Sequence, residues 1–173
     1  VVNEFLECSK ANIYAIGDCA EFRQHPTGRR NIEQVWYTGK MMGETVAQTI
    51  CGEKTAYRPG VWFNSAKFFD IEYQTYGWVW AQTKENEASF YWEHPGGKVG
   101  LKLVYDQASR SLLGVNAFGI RMRHVVLDRW IKEGASIDTV VDRLQEANFD
   151  PEFFENHFAA IRNKFHQDNR VNA

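Results

Sequence analysis

Asn12-Ile13-Tyr14-Ala15-Ile16-Gly17-Asp18-Cys19-Ala20-Glu21 is the stretch on which the reading of this chain turns. The apolar run Ile13 to Ile16 has strand character and stops at Gly17 and Asp18. A glycine after a buried strand lets the backbone turn or lets another group come close. A carboxylate at the same strand end can accept hydrogen bonds from ligand hydroxyls. In open α/β sheets, ligands lie outside the carboxyl ends of the strands.

Working outward, residues 21 to 31 read as a loop punctuated by Pro26 and Gly28. His25 has no partner at metal-ligand spacing and reads as solvated. Arg29 and Arg30 could reach a phosphate, but two adjacent arginines on a loop read first as exposed. A helix is expected from Asn31 to Cys51, with Ile32, Val35, Trp36, Met42, Val46 and Ile50 near the 3.6-residue period. Asn31 can cap it, and Gly52 fits the position just past its end. Gly39 and Gly43 lie one turn apart on that helix. Each costs about 1 kcal/mol of helix propensity against alanine, so something must pack close there, such as a neighbouring helix.

These residues carry a resemblance. Ile13-Tyr14-Ala15-Ile16-Gly17-Asp18-Cys19-Ala20 is similar to the second FAD-binding motif of the two-dinucleotide-domain flavoprotein reductases, which include NADH oxidases, nitrite reductase flavin subunits, and ferredoxin and rubredoxin reductases. Glu33-Gln34-Val35-Trp36, followed by Gly39, Val46-Ala47, Ile50 and Gly52, resembles the helix that comes after it. The resemblance implies that Asp18 holds the ribityl chain of FAD and that the helix N-terminus points at the flavin ring, with Glu33 and Trp36 beside the flavin and the nicotinamide site. Reduction places negative charge on such a ring, and a helix N-terminus favours an anion. The implied cofactor set is Gly17, Asp18, Glu33, Gln34, Val35 and Trp36, with no catalytic residue and no metal ligand. Read from the residues alone, Trp36 is equally an ordinary core residue and Glu33 a first-turn charge that complements the helix dipole. Cys8 stands where the pattern has Thr; nothing near it in sequence lowers a thiol pKa.

Composition bounds the rest. The 173 residues suit one domain or one and a fraction, with 44% hydrophobic and 24% charged residues, enough to bury a core. The net charge of -2 gives no electrostatic footprint for nucleic acid. Cys8, Cys19 and Cys51 show no Cys-x-x-Cys spacing, against a disulfide framework, a zinc site or a redox pair, and they favour the reducing cytoplasm. No apolar run approaches the roughly 20 residues of a membrane helix, and the N-terminus has no signal-peptide pattern. It starts on what reads as a strand at residues 1 to 6, as if cut from something longer.

Beyond the connector at Pro59-Gly60, Trp62-Phe63-Asn64-Ser65 and Ile71 to Gly77 fit loosely a segment of ferredoxin and rubredoxin reductases, with Ala66-Lys67 where that pattern has Asp-Gln. Trp62, Phe63, Phe68 and Phe69 read equally as packing between two domains. Strands are expected at Ile71 to Tyr76, continuing or restarting at Trp78-Val79-Trp80, then at Ala88 to Glu93, Lys98 to Tyr105 (half-buried) and Ser111 to Phe118, forming a meander. Helices are expected at Met122 to Glu133, from Ser136 to Leu144, and after Asp150-Pro151, with Phe153, Phe154, Phe158, Ile161 and Phe165 on one side. Arg121, Arg123 and His124 read as a surface ion-pair cluster.

The expected fold class is α+β: a remnant of an α/β FAD-binding domain at residues 1–57, then a C-terminal interface or dimerisation domain at 58–173 with an antiparallel sheet of three to four strands and flanking helices. No Gly-x-Gly-x-x-Gly occurs in the chain. The resemblance therefore implies the C-terminal part of an FAD-dependent NAD(P)H oxidoreductase, contributing part of the flavin site without catalysing alone. It also implies a homodimer, an unidentified electron acceptor and the rest of the reductase chain as partners, with no nucleic acid and no membrane. The alternatives are a dimerisation or docking module, and a site for another ligand near Trp62 and Phe63.

Overall fold

The computed structural model describes residues 1–149 and 155–171. The chain divides into two compact units, Val1–Gly60 and Val61–Ala173.

The first unit is built on one helix, α1 (Trp36–Ile50), and on irregular chain that wraps its buried side. Met42 and Val46 of α1 close on Val2, Leu6, Ala20, Phe22 and Tyr57 to make a small core. The expected strands at residues 1 to 6 and 13 to 16 do not form. Their place is taken by isolated bridges, Val2 with Phe22 and Glu7 with Tyr14. A strand run needs ladder partners along its edge, and among the described residues Ile13 to Ile16 pairs only through Tyr14. Ile13 and Ile16 are accordingly exposed. The helix begins five residues later than expected, because Asn31 is used elsewhere: its side-chain carbonyl accepts the His25 N–H at 3.1 Å and its main-chain carbonyl accepts the Phe22 N–H at 2.8 Å.

The second unit is an antiparallel sheet of five strands, one more than the three to four expected. The strands are β1 (Phe63–Phe68), β2 (Ile71–Gly77), β3 (Glu87–Glu93), β4 (Gly100–Asp106) and β5 (Leu112–Phe118), in spatial order β1-β2-β5-β4-β3. The sequence Phe63-Asn64-Ser65-Ala66-Lys67-Phe68 shows no alternation, yet it pairs with β2 from Phe63↔Tyr76 to Phe68↔Ile71. Trp78 to Trp80 lies outside the strands, since Gly77 turns the backbone at φ 64°. β4 is covered more fully than a half-buried strand, with Val104 on the nominally polar side only 1% exposed.

Helices α2 (His124–Lys132), α3 (Ile137–Asp142) and α4 (Phe158–Val171) complete this unit's core. Leu101, Leu103, Val115 and Ala117 of the sheet cluster with Leu127 and Trp130 of α2, Val140 of α3, and Phe158, Ile161 and Phe165 of α4. Ser136 caps α3 as its side chain accepts the Thr139 N–H. Arg121 forms a bidentate pair with Glu72 at 2.8 and 2.7 Å, in keeping with the ion-pair reading. The expected helix start at Asp150-Pro151, with Phe153 and Phe154, lies outside the described residues. Of the aromatics expected between two domains, Phe69 is 97% exposed at the β1–β2 turn, while Trp62 stacks on Trp78 at 5.2 Å.

Candidate functional site

Gly17 and Asp18 open a short 3-10 turn, Gly17–Cys19. Gly17 sits at φ 73°, in the left-handed region that favours glycine. The turn rests on the beginning of α1. A Cβ on Gly39 would lie 3.4 Å from the Gly17 Cα, and one on Gly43 would lie 3.6 Å from Ile16 Cδ1. The helical glycines thus accommodate this turn and not another helix. The Gly17 N–H also points at the Met42 sulfur, 3.3 Å away. The consequence is that the turn carrying the exposed Asp18 lies against the first turns of α1. Val35 is the helix N-cap and supplies no side-chain cap.

The remaining candidate residues part company. Gln34 is exposed, Val35 half-buried, and Trp36 71% exposed, so the core alternative for Trp36 is excluded. Glu33 faces the other way and is 6% exposed. Its carboxylate accepts the Thr38 hydroxyl at 3.3 Å and lies 3.0 Å from Arg29 Nε. His25 Nε2 is 3.9 Å from the same carboxylate. Burial pushes the Glu33 pKa up, and the Arg29 guanidinium opposes that rise.

His25 and Arg29 were both expected in solvent, and both are inside. His25 is 3% exposed, packed edge-on to Phe22, whose other contact is a stacked Tyr57 ring 5.6 Å away. The His25 Nδ1 accepts the Thr27 N–H at 3.2 Å, which leaves the ring proton on Nε2, facing Glu33. Arg29 closes the same pocket, and its side chain is 6% exposed. Nothing in the loop's composition signals this burial. Phe22 and Tyr57 supply the cover, and Tyr57 joins them from 35 positions along the chain from Phe22.

Burial, and then the neighbouring Arg29, lowers the His25 pKa from 6.5 to about 4. Between those values the unfolded chain holds a proton that the folded one does not, so stability falls as the pH drops through 6.5. The raised pKa of Glu33 acts with the opposite sign, so the His25 contribution is isolated by comparison with His25→Gln. Between about pH 7.5 and about pH 5, the wild type should lose on the order of 1 kcal/mol more than the variant. Urea unfolding followed by circular dichroism checks this; parallel pH slopes would contradict it.

Among the described residues no group of three or more His, Cys, Asp or Glu side chains is placed to hold a metal. No helix of these residues is long and apolar enough to cross a membrane.

No family model matches the chain. The chain is 34% identical over 131 residues to the NAD(P)H sulfur oxidoreductase (CoA-dependent) of Pyrococcus furiosus, a match that covers 68% of this chain and 29% of that protein. Among solved structures, the NAD-dependent persulfide reductase from A. fulgidus is similar over 98% of this chain and 34% of its own, with a TM-score of 0.70 at 22% identity. The covalent putidaredoxin reductase–putidaredoxin complex is similar over 77% of this chain and 30% of that one, with a TM-score of 0.54 at 16% identity. These structural likenesses concern the fold. The homologues and structural neighbours of the chain are FAD-dependent pyridine nucleotide-disulfide oxidoreductases. The chain is homologous to a portion of such a reductase, and it spans 29% of the Pyrococcus furiosus protein.

Proposed function

We propose that this chain supplies one edge of the flavin site of an FAD-dependent NAD(P)H oxidoreductase, with residues 1–57 as a segment of the FAD-binding domain and residues 58–173 as an interface domain. The observation that supports the reading is the Gly17–Gly39 approach, by which the turn carrying the exposed Asp18 packs on the first turns of α1. Those residues fit the cofactor. A carboxylate suits a chain of hydroxyls, and the uncapped helix start suits the electron-rich edge of a ring that gains charge on reduction. FAD would supply hydride transfer from NAD(P)H; this chain's part is to bind and orient, with Asp18 at the ribityl hydroxyls and Gln34 to Trp36 at the ring. Glu33 belongs to this set as a support, since its carboxylate points inward. In this reading the chain does not catalyse alone, works in the cytoplasm, and meets a second copy or the remainder of a reductase through its second unit.

A second reading, a dimerisation or docking module without a flavin, is favoured by one feature. Phe68, Phe69, Ile71, Tyr91 and Phe118 line an open groove of about 510 Å³ on the second unit. Titration with FAD, followed by flavin fluorescence, separates the two. Saturable quenching that weakens about tenfold or more in Asp18→Ala, the loss of one charge-assisted contact, is the expected result. Absence of saturable quenching would remove the flavin edge from this chain and leave the interface reading.

A further inference from the structure

Among the described residues, the carboxylate buried next to the start of α1 is that of Glu33, and four side chains surround it. Arg29 and His25 approach from the loop, at 3.0 and 3.9 Å. Thr38 donates its hydroxyl from the first turn of α1, at 3.3 Å. Tyr57 comes from the segment after the helix and couples electrostatically to both Glu33 and Arg29. A carboxylate at this place ties three parts of the unit together: the loop, the helix start and the returning chain. It also brings a negative charge to the one end of the helix where the dipole would attract an anion.

We infer that Arg29 is a positioning residue for the helix start: by pairing with Glu33 inside the unit it holds residues 33–35, which end on the extended N-cap Val35, ahead of α1 and cancels the carboxylate charge that would otherwise repel an anionic ligand edge there. Three observations carry this. The pair is enclosed, with side-chain exposures of 6% for Arg29 and 3% for Glu33, so solvent screens it little. The residues next to Glu33 that line the outer face, Gln34 and Trp36, are exposed, so the buried carboxylate is the pivot from which the exposed run departs. Arg29 also ties the end of the unit, its guanidinium donating to the Gly60 carbonyl at 3.4 Å. The contact between Arg29 Nε and Glu33 Oε1 is an ion pair without hydrogen-bond alignment, and the Tyr57 hydroxyl has no hydrogen-bond partner. Charge, more than directional bonding, therefore holds the cluster, and a neutral replacement of Arg29 alone leaves Glu33 uncompensated.

Where the ligand edge is a flavin, the inference rests on the function proposed above; where it is not, the positioning of the helix start still stands or falls alone. The test is amide hydrogen exchange by mass spectrometry on the full chain, read in peptides covering residues 31–42, with β5 as the internal control. Arg29→Gln should accelerate exchange in 31–42 by about tenfold or more, corresponding to loss of local protection, and leave β5 unchanged. Arg29→Lys should recover part of the protection. Arg29→Gln combined with Glu33→Gln should recover most of it, because the orphaned charge is gone. The acceleration in Arg29→Gln should also shrink as the pH is lowered, because burial already pushes the Glu33 pKa up and the variant removes the guanidinium that opposes that rise. A purely steric role for Arg29 would give no recovery in the double variant and no pH dependence, and either of these, or unchanged exchange in Arg29→Gln, overturns the inference. FAD titration of the same four proteins reports separately: if the wild type does not bind FAD, the flavin reading fails while the exchange data still decide the role of Arg29.

Discussion

Gly77→Ala is expected to destabilise the second unit by several kcal/mol, the sum of backbone strain and overpacking. Gly77 ends β2 at φ 64°, and a Cβ there would lie 2.0 Å from the Leu113 carbonyl oxygen and 3.1 Å from the Gly114 Cα. The left-handed conformation alone costs an L-residue about 1–2 kcal/mol, and overpacking adds about 1–3 kcal/mol. Neither can be relieved by a small shift, because the obstacle is backbone. Gly77 is registered against Gly114 in the β2–β5 ladder, and its N–H donates to the Trp62 carbonyl at 2.8 Å. Gly114 is similarly confined, with the Trp78 carbonyl 2.6 Å from where its Cβ would be. Against a total stability of about 5–15 kcal/mol, a loss of about 3 kcal/mol or more should be evident in a thermal melt. A melting temperature within about 4 °C of the wild type would refute the argument.

The second large effect is at Trp130, 2% exposed within the core that α2 shares with the sheet. Trp130→Ala leaves a cavity where the ring packed and should cost about 3–5 kcal/mol. Trp130→Phe is the informative companion. The indole Nε1 has no hydrogen-bond partner in its buried site, and an unsatisfied buried donor costs about 1–3 kcal/mol. Phenylalanine removes that donor while keeping most of the apolar area, so its loss should be under half that of alanine. Urea midpoints for the three proteins measure this. Equal losses for the two variants would show that the site is fitted to the whole indole and that the apolar area phenylalanine retains does not stabilise it.

What could be read from the residues differed between the two units for physical reasons. In the second unit, local pattern and local pairing agree: the alternation of Leu101, Leu103 and Tyr105 marks a strand that pairs with its neighbours on both sides, with one register shift against β5 between Val104 and Tyr105. β1 was illegible because Asn64, Ser65, Ala66 and Lys67 carry no strand preference, and pairing with β2 imposes the conformation. In the first unit, Gly17, Asp18 and the α1 glycines were legible as a turn and a close approach, since glycine spacing reports backbone geometry directly. The burial of His25, Arg29 and Glu33 was not. It depends on Phe22 and Tyr57 arriving from either side of the helix, and no window of sequence around an arginine contains that information. The helix start was misplaced for a related reason, because Asn31 serves the loop backbone before it can serve the helix.

The strand order β1-β2-β5-β4-β3 has a consequence for the order of events during synthesis. β1–β2 and β3–β4 are each local hairpins, and the inner edge of each, on β2 and on β4, stays unpaired until β5 arrives between them. Loop closure makes the β2–β5 pairing, from Tyr73↔Phe118 to Gly77↔Gly114, the slowest to form. Until β5 inserts, the edges of β2 and β4 lie open to pairing with each other or with a neighbouring chain. The last strand of the sheet in the chain is thus the one that closes its two inner edges, leaving β1 and β3 as the edge strands.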